Sequence, residues 1–139
     1  EIHDNSQVLV NIANSVDEWF WVKGLSPLAI AQMVNNEQPH VLIDLNGFTD
    51  GGRLEVGSLK PAPVSVNYLG FPYTLTIPGF DYILADRIVL PPEQHPECFT
   101  ERVAFMPNMY MVNDHRQSQL QQIEGEFTTD NATNYSVPH

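Results

Sequence analysis

Apolar residues fall into short runs separated by breaks rich in glycine and proline. Residues 7–13 (QVLVNIA) are apolar and β-branched, in a run too short for its period to separate helix from strand. Residues 16–22 (VDEWFWV) follow and hold both tryptophans. A helix start is plain at Ser26-Pro27: the serine hydroxyl can accept from free backbone N–H groups, and proline at the first helical position loses nothing by lacking its own. The run LAIAQMVNN then places Ile30, Met33 and Val34 on one helical face, and Pro39 stops the helix. Residues 41–45 (VLIDL) form a continuous apolar run, which predicts a strand buried on both faces of a parallel sheet. A turn-rich loop (46–52, NGFTDGG) precedes a short helix in RLEVGSL, ended by Pro61 and Pro63. Residues 64–70 (VSVNYLG) read as a second strand and its exit, 80–86 (FDYILAD) as a third, and 102–107 (RVAFMP) as a fourth. Strands alternating with helical or looped crossovers predict an α/β fold built from βαβ units.

The pattern fades near His115. Residues 116–139 are rich in Gln, Asn, Thr and Ser with few large apolar side chains, which predicts a polar linker or disordered insertion after a partial lobe spanning 1–115. The sequons at Asn131 and Asn134 read as chance matches. The chain opens on Glu1 rather than Met, which suggests a piece of a longer protein.

Charge narrows the partners. Seventeen Asp and Glu against six Lys and Arg give a formal net charge of −11. That balance does not supply the basic surface that phosphate backbones or anionic membranes require, so neither nucleic acid nor a membrane is expected as partner. No apolar run approaches the roughly 18–20 residues of a membrane span. The single Cys98 cannot form an internal disulfide, and no signal peptide is evident, which predicts an intracellular setting. No metal is expected: no two histidines have metal-ligand spacing, and one Cys does not build a zinc site. His40 precedes its strand, at the end opposite the expected ligand site, and reads as structural or exposed. His115, after Asp114, reads the same way, and His3, His95 and His139 lie in irregular polar contexts. The sequence holds no nucleophile elbow, phosphate loop or dinucleotide fingerprint.

Two segments after predicted strands carry the candidate chemistry, because open α/β sheets bind ligands at the carboxyl ends of their strands. In the first, Asn46, Gly47, Phe48 and Thr49 combine short polar side chains with glycines that let a ligand approach the backbone. In the second, Leu69, Gly70 and Pro72 offer an apolar floor, a free backbone N–H at Gly70 and a rigid proline. Sugars are held by such mixtures of apolar contact and oriented polar groups.

The ordered series PHVLIDLNGFTDGGR, SLKPAPVSVNYLGFP, FDYILADRIVLPPE and FTERVAFMPNMYMVNDHR resembles the catalytic region of the protein O-linked N-acetylglucosamine transferases. More distantly it is similar to the Spindly-type protein O-fucosyltransferases. The resemblance implies part of the amino-terminal lobe of a two-lobed (GT-B) glycosyltransferase with Rossmann-like sheets. Such enzymes move N-acetylglucosamine from UDP-GlcNAc to Ser or Thr hydroxyls of protein acceptors, invert the sugar's configuration and use neither metal nor other cofactor. It implies further that Phe48, Thr49, Leu69, Gly70 and Pro72 border the sugar and acceptor pocket.

The same resemblance implies that the family's histidine motif, its donor-phosphate lysine and its tetratricopeptide repeats lie elsewhere in a parent protein of the cytoplasm or nucleus. No catalytic residue is then expected in these 139 residues, which are expected to be inactive and poorly stable alone. Two departures stand out. Tyr73-Thr74-Leu75-Thr76 replaces a small, glycine-rich run, and Asp50 stands where animal members often carry a basic residue. The other reading is a non-catalytic binding module that keeps the old sugar pocket as a docking surface.

Overall fold

The computed structural model describes residues 6–93 and 99–113. The predicted linker (116–139), its sequons, Cys98, Asp114, and His3, His95, His115 and His139 lie outside the described residues. Helix α1 (Gln7–Asn14) settles the ambiguous first run. Ser6 caps it, its Oγ accepting the Leu9 N–H at 3.2 Å. Helix α2 (Pro27–Asn36) starts as expected, with Ser26 Oγ accepting the Ala29 N–H at 3.2 Å and Pro27 in the first turn. Strand β1 (Val41–Asp44), helix α3 (Leu54–Ser58) and strands β2 (Val64–Asn67), β3 (Tyr82–Ala85) and β4 (Arg102–Phe105) follow.

The four strands form one sheet in the order β1-β2-β3-β4, every neighbouring pair parallel. The carboxyl ends of all four therefore lie at one edge, and His40, exposed, lies at the opposite one. Among the described residues, only the β1-to-β2 crossover contains a helix. The β2-to-β3 connection is irregular, yet it acts as a layer because Leu75 is wholly buried and packs with Leu54 and Phe80, with Phe71 and Ile77 beside them. A second cluster joins α2 to α3 through Ile30, Ala31 and Val56, with Val22 and Val34 against it.

The irregular crossover is anchored by carboxylates. Glu101, just before β4 and 5% exposed, accepts the Leu75 N–H at 2.7 Å through Oε1. Its Oε2 accepts the Thr74 hydroxyl at 2.6 Å and the Thr100 hydroxyl at 3.1 Å. Asp81 accepts the Lys60 ammonium and the Ser65 N–H, and these two donors hold its carboxyl below the usual value of 3.8.

Strand β1 departs from expectation. It is not buried on both faces: Val41, Ile43 and Leu45 are 46%, 49% and 55% exposed, and only the alternate residues are partly covered. The reason is position. β1 is an edge strand, and Val41 and Ile43 line an open cleft with Phe20, Val22, Ile30 and Met33 instead of packing under a closed layer. Trp19 and Trp21 meet edge to face at 5.7 Å between ring centroids and remain partly exposed.

Candidate functional site

The loop after β1 is built on Asp44. Its Oδ1 accepts the backbone N–H groups of Asn46 (2.9 Å) and Gly47 (2.5 Å), which turns the chain sharply at the end of the strand. Thr49 tightens the turn, its N–H and its hydroxyl both donating to the Asn46 carbonyl at 3.2 and 2.7 Å. The Asn46 side-chain N–H reaches the Asp50 carbonyl at 3.4 Å. The hydroxyl proton of Thr49 is thus committed to the loop, and only the oxygen's remaining lone-pair capacity is open to a ligand.

The loop after β2 bends differently. Gly70 N–H donates to the Tyr68 carbonyl at 2.9 Å across Leu69, whose φ is +69°. This is a positive-φ γ-turn, a rare and strained conformation for a leucine. It corrects the expectation that Gly70 offers a free N–H, because that group closes the turn. A second two-residue closure, Tyr73 N–H to the Phe71 carbonyl at 2.9 Å, spans Pro72.

The two loops touch. The Tyr68 N–H extends the β1–β2 ladder by donating to the Asp44 carbonyl at 2.9 Å. A β-carbon at Gly70 would overlap the Leu45 carbonyl oxygen, and one at Gly47, whose φ is +57°, would overlap the Phe71 side chain. The Phe48 and Phe71 rings meet edge to face at 5.3 Å, Phe48 being 56% exposed. All seven expected residues therefore lie along one rim of the sheet, at the carboxyl ends of β1 and β2.

The open space around the rim is divided. A broad cleft of about 630 Å³ is lined by residues 43–46 with Asp50, Gly51 and Arg53. Another, about 330 Å³, takes in Gly47, Phe48 and Thr49 with α3. A tighter cavity of about 150 Å³ lies under Pro72 and Tyr73, walled by Ile83, Ala85, Leu90 and Tyr110. Each of these three draws on one loop only.

Several positioning groups leave little mark on the sequence. Asn67, wholly buried at the end of β2, donates through Nδ2 to the Phe71 and Tyr73 carbonyls at 3.1 and 2.9 Å. The Tyr68 hydroxyl donates to the Tyr110 carbonyl at 2.7 Å. Asp86, 4% exposed at the end of β3, accepts the N–H groups of Val89 (2.9 Å), Tyr110 (3.0 Å) and Ile88 (2.8 Å). Those donors, Val89 and Tyr110 first, outweigh burial and hold the Asp86 carboxyl below its usual value of 3.8. The usable signal for Asn67 lies in VSVN, where a polar side chain in a buried strand demands a partner. Among the described residues no group of three His, Cys, Asp or Glu is placed to hold a metal ion, and no helix is long and apolar enough to cross a membrane.

A parallel α/β sheet with two touching loops at the carboxyl ends of adjacent strands defines a Rossmann-like lobe with a candidate site at its strand ends. The profile of glycosyl transferase family 41 matches residues 3–136, and the chain belongs to that family. It is 35% identical over 115 residues to the probable UDP-N-acetylglucosamine–peptide N-acetylglucosaminyltransferase SEC of Arabidopsis thaliana, covering 83% of this chain and 12% of that protein. It is 38% identical over 87 residues to the UDP-N-acetylglucosamine–peptide N-acetylglucosaminyltransferase of Caenorhabditis elegans, covering 63% of this chain and 8% of that one. A solved mutant O-GlcNAc transferase of Thermobaculum terrenum superposes with a TM-score of 0.72 at 26% identity, covering 76% of this chain and 20% of that one. The chain thus spans only a small part of the length of each of these proteins.

Proposed function

We propose that the protein carrying this chain transfers N-acetylglucosamine from UDP-GlcNAc to Ser or Thr hydroxyls of protein acceptors, inverting the anomeric carbon without a metal or other cofactor. Asn46, Gly47, Phe48, Thr49, Leu69, Gly70 and Pro72 shape part of the sugar and acceptor pocket. The observation that carries this reading is the contact of Gly70 with the Leu45 carbonyl, which joins the two loops into one rim in a family 41 chain.

In such a transfer the acceptor oxygen bonds to the sugar's anomeric carbon as the bond to the diphosphate breaks, and the hydroxyl proton leaves to a base. The rim's part is to orient: Leu69 and Pro72 give apolar contact, and Asn46 and Thr49 give polar atoms for sugar hydroxyls. Stabilising the departing diphosphate needs preorganised positive charge or N–H donors. Six basic residues spread along the chain are a poor source of it. The base and the diphosphate contacts are therefore assigned to other parts of the parent protein, together with the repeats that capture acceptors, in a cytoplasmic or nuclear setting.

The test is label transfer by the complete protein from UDP-GlcNAc, with GDP-fucose in parallel and this chain alone as control. Transfer of N-acetylglucosamine by the complete protein only is the expected result. Fucose transfer moves the protein to the Spindly-type reading. Absence of both, with retained sugar-nucleotide binding, leaves the binding-module reading. Activity of the 139 residues alone overturns the division of roles.

A further inference from the structure

We propose that Asn67 is a positioning residue for the rim, its carboxamide fixing the conformation in which Leu69 and Pro72 face the sugar; this rests on the function proposed above.

Leu69 is strained. A γ-branched side chain at φ +69° persists only where the surroundings hold it. Both flanks of the turn are tied down. Upstream, the Tyr68 N–H and hydroxyl donate to the Asp44 and Tyr110 carbonyls. Downstream, one Asn67 carboxamide nitrogen spans the Phe71 and Tyr73 carbonyls, the two groups that bracket Pro72. Both partners are carbonyl oxygens and accept only, so the nitrogen must face them and the amide orientation is settled by chemistry. The other end of the carboxamide, Oδ1, is buried without a hydrogen-bond partner among the described residues. A buried amide with one unsatisfied end is a poor device for stability alone. What it supplies that an apolar residue does not is a two-pronged donor that sets the loop's path immediately after the strained turn.

The test compares the complete wild-type protein with Asn67→Ser, whose single short hydroxyl does not span both carbonyls. Amide hydrogen exchange at Gly70 and Tyr73 is expected to quicken roughly tenfold or more, with the β2–β3 ladder unchanged. The KM for UDP-GlcNAc is expected to rise about tenfold while kcat, per folded enzyme, changes little. A residue that serves only stability would lower the melting temperature and leave that KM where it was, which overturns the proposal. Unchanged exchange at Gly70 and Tyr73 overturns it too, whatever the kinetics. If Asn67→Ser does not fold, the wild-type Asn67 side-chain amide protons decide: slow exchange by NMR supports the assignment and rapid exchange overturns it. Absence of transfer by the wild type would overturn the proposed activity, and with it the role in sugar binding. The exchange result would still separate that failure from a wrong assignment of Asn67 to the turn.

Discussion

Gly70 lies so close to the carbonyl oxygen of Leu45 that no β-carbon fits between them. The contact joins the exit of β1 to the exit of β2 by backbone alone. It needs a residue without a side chain directly after one in the left-handed region, and Leu69-Gly70 meets that need at the expense of a strained leucine.

Replacing Gly70 by alanine should therefore push the loops apart. Overpacking against backbone costs about 1–3 kcal/mol, and the rim proposed to hold the sugar should open with it. Calorimetry on the complete protein should show UDP-GlcNAc binding weakened about tenfold or more. Gly24→Ala is the control. Gly24 has φ +80°, but a β-carbon there would meet nothing within 4 Å, so only a conformational penalty of about 1–2 kcal/mol is expected, with donor binding unchanged. Equal effects of the two variants on binding would refute the shared rim.

Asp86 predicts an acid-dependent tie between β3 and the segment holding Tyr110. Its folded pKa lies below 3.8, its ordinary value. The carboxylate's stabilisation is therefore fully present above that value and is lost as pH falls from about 3.8 through the folded pKa. Asp86→Asn presents an amide that does not serve all three N–H groups, with an NH₂ facing one of them. The variant should melt below the wild type at neutral pH, and the gap should narrow as pH drops below about 4. A gap independent of pH from about 7 to about 3 would mean that the charge contributes nothing.

The sheet is legible in the sequence because VLID, VSVN, YILA and RVAF are short apolar runs between breakers, and the Ser26-Pro27 cap has a local cause. Residues 7–13 are undecided on sequence because eight helical residues complete barely two turns, and the Ser6 cap lies outside the apolar run. The exposure of Val41, Ile43 and Leu45 is hidden because an apolar run reports what a strand can bury, not whether a layer covers it here. The position of the two candidate loops at adjacent strand ends follows from the order of the apolar runs. Gly70 misleads because its N–H is consumed two residues back by Tyr68, a bond that depends on the φ of Leu69. Asp86 has a local role, turning the chain by accepting the Ile88 and Val89 N–H groups, but its tie to Tyr110, like those of Glu101 to Thr74 and Leu75, spans 24 to 27 residues and leaves no local trace.

Glu101 should matter more than its place outside the rim suggests. Glu101→Ala would leave the buried Leu75 N–H unpaired and release Thr74, so a loss of about 2–3 kcal/mol is expected. Glu101→Gln keeps one acceptor oxygen and should cost about half as much. Denaturant melts of the two variants check this, and indistinguishable values would show that the Leu75 contact is not the one that counts.

The last expectation concerns acceptor choice and follows from the proposed activity. Asp50 and Asp44 line the same broad cleft as Arg53, and Asp50 is exposed. Asp44 commits one carboxylate oxygen to the N–H groups of Asn46 and Gly47, so Asp50 is the better placed of the two to meet a passing peptide. Its charge adds to a chain whose net balance is already −11. Acceptors with Lys or Arg beside the modified Ser or Thr should be preferred over acidic ones. An exposed charge changes such a preference by about 0.2–1 kcal/mol, up to roughly fivefold in KM. Asp50→Lys should reverse the ratio of KM values for matched basic and acidic peptides, leaving kcat nearly untouched, because the charge acts on encounter rather than on the reacting bond. The reversal should shrink as salt rises from about 20 to about 500 mM, as expected when the screening length falls below about 10 Å. A ratio that does not move at low salt would place the acceptor's path elsewhere on the molecule.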